Sequence, residues 1–217
     1  TQGQLSHRNW TLDDLDSRSK ETGLRVATNN FQRKLYASVA NMIETFENMV
    51  NMEIDVLIGT EPGMASHYNE SLLIKTARLY DFDVKLSLRS RDDVQGGIVV
   101  VMSRTWAKIP STVRRYDPGD SNLKGRLLSI EFNNKTNGQH NKVQIIGAHL
   151  VNSAHTNTED TKKLLTWIMT EKDRFNKDNQ QATSILLGDL NASESEWLDT
   201  DRIGATHDSG RMEADAS

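Results

Sequence analysis

Short apolar runs alternate with longer polar stretches along the chain, and the spacing inside each run predicts its element. Leu24 to Thr28 reads as a first strand, closed by Asn29 and Asn30. Leu35, Val39, Met42, Ile43, Phe46, Met49 and Val50 recur at helical spacing, which predicts an amphipathic helix over residues 33–51. Ile54 to Ile58 is a continuous apolar run that stops at Gly59-Thr60-Glu61-Pro62-Gly63. It reads as a buried strand ending in a turn that carries a carboxylate. A helix follows over residues 69–80, with Leu72, Leu73, Thr76 and Leu79 inward. Phe82 to Leu88 alternates as a strand, and the β-branched run from Gly97 to Met102 predicts a central, buried one. Residues 105–124, with Pro110, Pro118 and Gly119, read as an irregular connection. Asn137-Gly138 is a hairpin turn between strands at Arg126 to Phe132 and Val143 to Leu150. A helix over Glu159 to Phe175 turns Leu164, Leu165, Ile168 and Met169 to one face. A last strand begins at Ser184 and opens into Gly188-Asp189-Leu190-Asn191.

Strands, hairpins and helices in mixed order predict an α/β fold in which two packed, mainly antiparallel β-sheets carry helices outside. Composition agrees. The chain has 217 residues, 36% apolar and 26% charged, which suits one globular domain preceded by a polar, flexible leader over residues 1–22. No apolar run approaches membrane-spanning length and no signal-peptide pattern opens the chain, so no membrane partner is expected. The absence of cysteine excludes disulfides, thiolate metal sites and a cysteine nucleophile. A formal net charge of −4 counts mildly against nucleic acid, although an enzyme needs only a local basic rim. Both ends read as cut: Thr1 is not an initiator methionine, and Ser209 to Ser217 reads as a helix that has only begun.

Five polar residues fall just beyond strands: Asn29, Glu61, His149, Asp189 and Asn191. Strand ends at one edge of a sheet pair converge, so these five predict an acidic, polar pocket. Glu61 is a hard oxygen ligand of the kind Mg²⁺ takes. Asp189 can orient a water, and His149 and Asn191 can hold the charge that develops on phosphorus. The set suits metal-assisted hydrolysis of a phosphate ester. Taken singly each has a plainer reading: Asp189 and Asn191 as an Asx turn, Asn29 and Asn30 as a turn with a helix cap, His149 as a structural imidazole. Arg104, Arg115 and Lys124 stand in loops, as a phosphate-contacting rim or as scattered solubility charges. Trp106 and Tyr116 are placed partly in the core rather than stacked on bases.

The ordered segments LRVATNN, DVLIGTEPG, GGIVVVMS, GRLLSIEF, VQIIGAHL and SILLGDLNAS resemble the endonuclease/exonuclease/phosphatase superfamily from about residue 24 onward. Gly-Asp-Leu-Asn is the most specific element, and Glu61 after a buried strand the second. GDLNASESEWLDTDR and TEPGM are similar to the endonuclease domains of LINE-type retrotransposons. The resemblance implies a two-sheet DNase-like domain over residues 23–217, with Mg²⁺ as cofactor (or Mn²⁺), DNA as partner and a nuclear location. It also implies a reverse transcriptase domain in the same polyprotein. Glu61 matches the metal ligand, Asn29 the asparagine that positions metal or phosphate, and Asp189 the group that activates water. Asn191 matches the transition-state asparagine, and His149 a position that carries Tyr or His. Asn30 replaces Asn29 if the register slips by one, and Arg126 matches a mostly structural position. The Ser-Asp-His element that closes such domains is not found; His207-Asp208 is in the wrong order. The last strands are therefore expected to be absent, at a cost of several orders of magnitude in rate if nothing replaces them. Two alternatives stay open: a phosphatase or RNA deadenylase of the same fold, and an inactive remnant that serves as a binding module.

Overall fold

The computed structural model describes residues 24–63, 66–87, 97–119, 123–136, 139–151, 158–177 and 182–191. The expected leader, the opening helix after Ser209 and His207-Asp208 lie outside them. Among the described residues eight strands form two sheets of four. The first has the order β1 (Val26–Asn30), β2 (Val56–Thr60), β4 (Ile98–Ser103), β3 (Phe82–Leu86). The second runs β5 (Ser111–Arg115), β6 (Leu127–Thr136), β7 (Gln139–His149), β8 (Thr183–Asp189). One pair in each sheet is parallel, β1 with β2 and β7 with β8, and the others are antiparallel.

Period-two alternation builds four layers from these strands. Between the sheets Val56, Ile58, Ile98, Val100 and Met102 pack on Leu128, Ile130, Phe132 and Ile145. Gly147 lets the sheets approach, since a Cβ there would sit 3.1 Å from Ile58 and 3.2 Å from Ile98. The other face of the first sheet (Leu57, Val99, Val101, Phe82, Val84) is covered by helices α1 (Val39–Asn51) and α2 (His67–Leu79) through Met42, Phe46, Met49 and Leu73. The outer face of the second sheet lies under the 20-residue helix α4 (Thr158–Lys177), which buries Leu164 and Ile168 against Leu127, Ile146 and Ala148. Polar groups also bind α4 down. Gln144, wholly buried, donates to Ser129 Oγ and to the Glu171 carbonyl, both at 3.2 Å. Arg174 pairs with Glu131 and Glu171, and those two carboxylates hold its pKa above the usual range.

Several expectations change. The helix predicted from residue 33 begins at Val39, because Gln32 and Arg33 take left-handed φ values of 47° and 68° and interrupt it. A single 3-10 turn, Leu35–Ala37, intervenes, and Ser38 Oγ caps α1 by accepting from Asn41 N at 3.2 Å. Leu79 is 84% exposed and Ala77 takes the buried place on α2; Met169 on α4 is likewise exposed. The connection predicted over 105–124 contains β5 and, before it, a one-turn helix α3 (Arg104–Ala107). β5 escapes the pattern because it is an edge strand on which only Val113 faces the core. Trp106 packs edge-on against Phe132 and Tyr116 tilts onto Trp167, so both aromatics belong to the core.

Candidate active site

β1 and β2 each extend two residues beyond the predicted ends, and this decides which side chains meet. On β1, Val26 faces the other sheet and Ala27 faces the helices. Counting on in twos, Asn30 faces the other sheet and Asn29 does not. The same count runs along β7 from Ile145 through Gly147 to His149, and along β8 from Leu187 to Asp189. β2 ends at Thr60, and the left-handed φ of 49° at Glu61 turns the chain out of the sheet. Asn30, Glu61, His149 and Asp189 therefore gather at one end of the sandwich.

The geometry there is tight. A ligand atom from each of Glu61, His149 and Asp189 lies within 4.8 Å of the other two. His149, 1% exposed, places Nε2 3.3 Å from Glu61 Oε1. Asp189 Oδ2 accepts from Asn30 Nδ2 at 2.7 Å, and Oδ1 accepts from the backbone N–H of Asn191 at 3.0 Å. The Asx turn is present and does not exclude a further ligand, because each carboxylate oxygen keeps another lone pair. Asn30 is fixed in orientation, since its Oδ1 accepts from Gln32 N at 2.9 Å and its amide nitrogen must face Asp189. Asn191, at φ 48°, donates one amide hydrogen to the Leu150 carbonyl at 2.7 Å and keeps the other. Arg126, 8% exposed, holds this wall from behind. Its Nη1 lies 3.5 Å from the His149 carbonyl and 3.4 Å from that of Leu150, and its own carbonyl accepts from His149 N at 2.8 Å.

Two expectations are corrected. Asn29 is exposed and sits on the wrong face of β1, so the asparagine in the site is Asn30. Arg104 follows β4 at the opposite end of the sandwich and is ion-paired with Asp81 at 2.8 Å. Arg115 and Lys124 do lie at the site end, but both are engaged: Arg115 Nε donates to the Leu86 carbonyl at 2.7 Å, and Lys124 Nζ is 3.1 Å from Asp117. Thr60 went unnoticed in the sequence. Its hydroxyl is fully buried beside Glu61 without a hydrogen-bond partner among the described residues. A cavity of about 440 Å³, lined by Met49, Glu53, Asp55, Asp81 and Arg104, lies at the far end, away from this chemistry.

The fold has counterparts among solved structures. An endonuclease/exonuclease/phosphatase family protein from Leptotrichia buccalis C-1013-b superposes with a TM-score of 0.58 at 17% identity, over 83% of this chain and 72% of that one. The chain has the endonuclease/exonuclease/phosphatase fold. The same fold relates it to D. rerio TDP2 complexed with single strand DNA product (TM-score 0.53, 12% identity, 87% of this chain and 67% of that one). It also relates it to the human Nocturnin catalytic domain with bound sulfate anion (TM-score 0.52, 14% identity, 80% and 65%). No family model matches the sequence, and no curated protein does. A divalent cation fits the donors that the fold brings together: two carboxylates and an imidazole in mutual reach. No helix among the described residues is long and apolar enough to cross a membrane.

Proposed function

We propose that the chain hydrolyses phosphodiester bonds, as the DNA-nicking endonuclease domain of a retrotransposon protein that works with Mg²⁺ or Mn²⁺. The observation that carries this is the convergence of Glu61, His149 and Asp189 with Asn30 and Asn191 at the end of two sheets far apart in sequence. Glu61 and Asp189 would hold the cation, with His149 closing the third side. A cation bound there polarises a phosphoryl oxygen and acidifies water. Asp189, oriented by Asn30, positions the attacking water and takes its proton. The water oxygen bonds to phosphorus as the P–O3′ bond breaks, and the departing 3′ oxygen takes a proton from solvent, leaving a 5′-phosphate and a 3′-hydroxyl, the end a reverse transcriptase extends. The second amide hydrogen of Asn191 would be the donor to the charge that builds on the phosphoryl oxygens, next to the cation that His149 helps to hold. The DNA and retrotransposon parts of the reading are supported by the GDLNASESEWLDTDR and TEPGM resemblance. The shared fold of D. rerio TDP2, whose structure holds a single strand DNA product, supports the DNA part.

The test is nicking of supercoiled plasmid in Mg²⁺, with a chelator and Asp189→Asn as controls. Nicking that both controls abolish is the expected result. Cutting that survives Asp189→Asn would assign the chemistry elsewhere or to a contaminant. No cutting by a folded, metal-loaded chain would move the reading to a binding module.

A further inference from the structure

The geometry points to the Gln32–Lys34 turn as the seat of a polynucleotide backbone, with Arg33 and Lys34 contacting phosphates that flank the cleaved bond; this rests on the phosphodiesterase reading above. The turn is anchored to the site itself. Arg33 N donates to the Glu61 carbonyl at 2.7 Å, Phe31 N to the Thr60 carbonyl at 2.9 Å, and Gln32 N to Asn30 Oδ1 at 2.9 Å. Tyr36 N reaches the Pro62 carbonyl at 3.1 Å. Arg33 is therefore locked, through its backbone, to the residue that would bind metal. Both long side chains are exposed, and neither forms an ion pair with another described residue. The other described cations at this end are occupied: Arg115 on Leu86, Lys124 on Asp117, Arg126 on His149 and Leu150.

The backbone adds an independent observation. Gln32 and Arg33 are consecutive non-glycine residues in the left-handed region. That region is unfavourable for residues with a Cβ, and glycine would remove the cost at Arg33. The turn ends the helical pattern early and fixes the Arg33 backbone against that of Glu61, with the side chain exposed. In a chain of net charge −4, a polyanion needs such a local cationic point next to the reacting groups.

The experiment uses the full chain carrying Asp189→Asn, so that nothing is cut. Fluorescence anisotropy follows its binding to short labelled oligonucleotides (single-stranded DNA, duplex DNA and RNA of one sequence) over a salt series. Arg33→Gly combined with Lys34→Gln removes both charges and relaxes the turn, and circular dichroism checks that it is folded. Loss of two phosphate contacts should make the slope of log K against log salt shallower by about 1.4 to 1.8, and weaken binding at low salt about tenfold or more. Arg33→Lys with Lys34→Arg should keep the slope. Lys162→Ala with Lys172→Ala, two exposed cations on α4, controls for net charge and should also keep it. An unchanged slope in the Gly/Gln variant, an equal loss in the α4 control, or no binding by the parent would each overturn the assignment. Failure of the hydrolysis reading is separately visible: the unmutated chain would bind with the expected salt dependence and cut nothing.

Discussion

Gly188→Ala tests whether the β7–β8 pair sets the position of Asp189. Gly188 has φ 140° and pairs in parallel register with Ala148. A Cβ built there would lie 1.8 Å from the Ala148 carbonyl oxygen and 2.8 Å from its carbon, both rigid backbone atoms. The strands would have to part by about 1.2 Å to restore the shortest contact that real Cβ atoms show. A φ that favours glycine costs alanine about 1–3 kcal/mol. Parting the strands also strains the ladder at His149↔Asp189 and the bond from Leu150 N to the Asp189 carbonyl, at about 1 kcal/mol for each bond lost. The expected loss is about 3–5 kcal/mol, a large share of the roughly 5–15 kcal/mol that stabilises a domain. Because the next residue is Asp189, a displacement near 1 Å should cost hydrolysis about a hundredfold even where the protein stays folded. Urea unfolding followed by circular dichroism gives the first number. Turnover measured well below the unfolding midpoint gives the second. Gly119→Ala, where a Cβ meets nothing within 4 Å, is the matched control and should cost little. A Gly188→Ala protein as stable and as active as Gly119→Ala would show that β7 does not position the site.

Three further outcomes are expected. Asn30→Ala removes the 2.7 Å bond to Asp189 and should lower kcat about tenfold or more, whereas Asn29→Ala, on the exposed opposite face, should change it less than twofold; equal effects in steady-state kinetics would contradict the face assignment. Thr60→Val deletes a buried hydroxyl with no partner among the described residues, at nearly constant volume, and should raise stability by about 1 kcal/mol; a loss in thermal unfolding would reveal a partner for that hydroxyl. Mg²⁺ or Mn²⁺ at a hundred times its Kd should stabilise the chain by about 2.7 kcal/mol. Calorimetry should show the corresponding rise in Tm, about 5–10 °C, abolished by Glu61→Gln or by chelator.

Most of the framework is legible in the chain itself, for a local reason. Apolar runs such as Val56 to Ile58 and Ile98 to Met102, and the helical spacing of Met42, Phe46 and Met49, are patterns that one element imposes on its own residues. The turn residues after the strands mark Glu61 and Asp189 in the same way. What one element cannot encode is its partner. Whether Asn29 or Asn30 enters the site depends on β1 continuing two residues past its apolar run, which is settled by its register against β2. That Arg104 lies at the wrong end follows from the antiparallel pairing of β4 with β2, and β5 exists because β6 offers it an edge. The left-handed turn at Gln32 and Arg33 is held by carbonyls of Thr60, Glu61 and Pro62, on a different strand end. Periodicity along the chain therefore determined the elements and nominated the chemistry. Face, register and sheet end, which arise only when distant strands pair, decided which of the nominated groups meet.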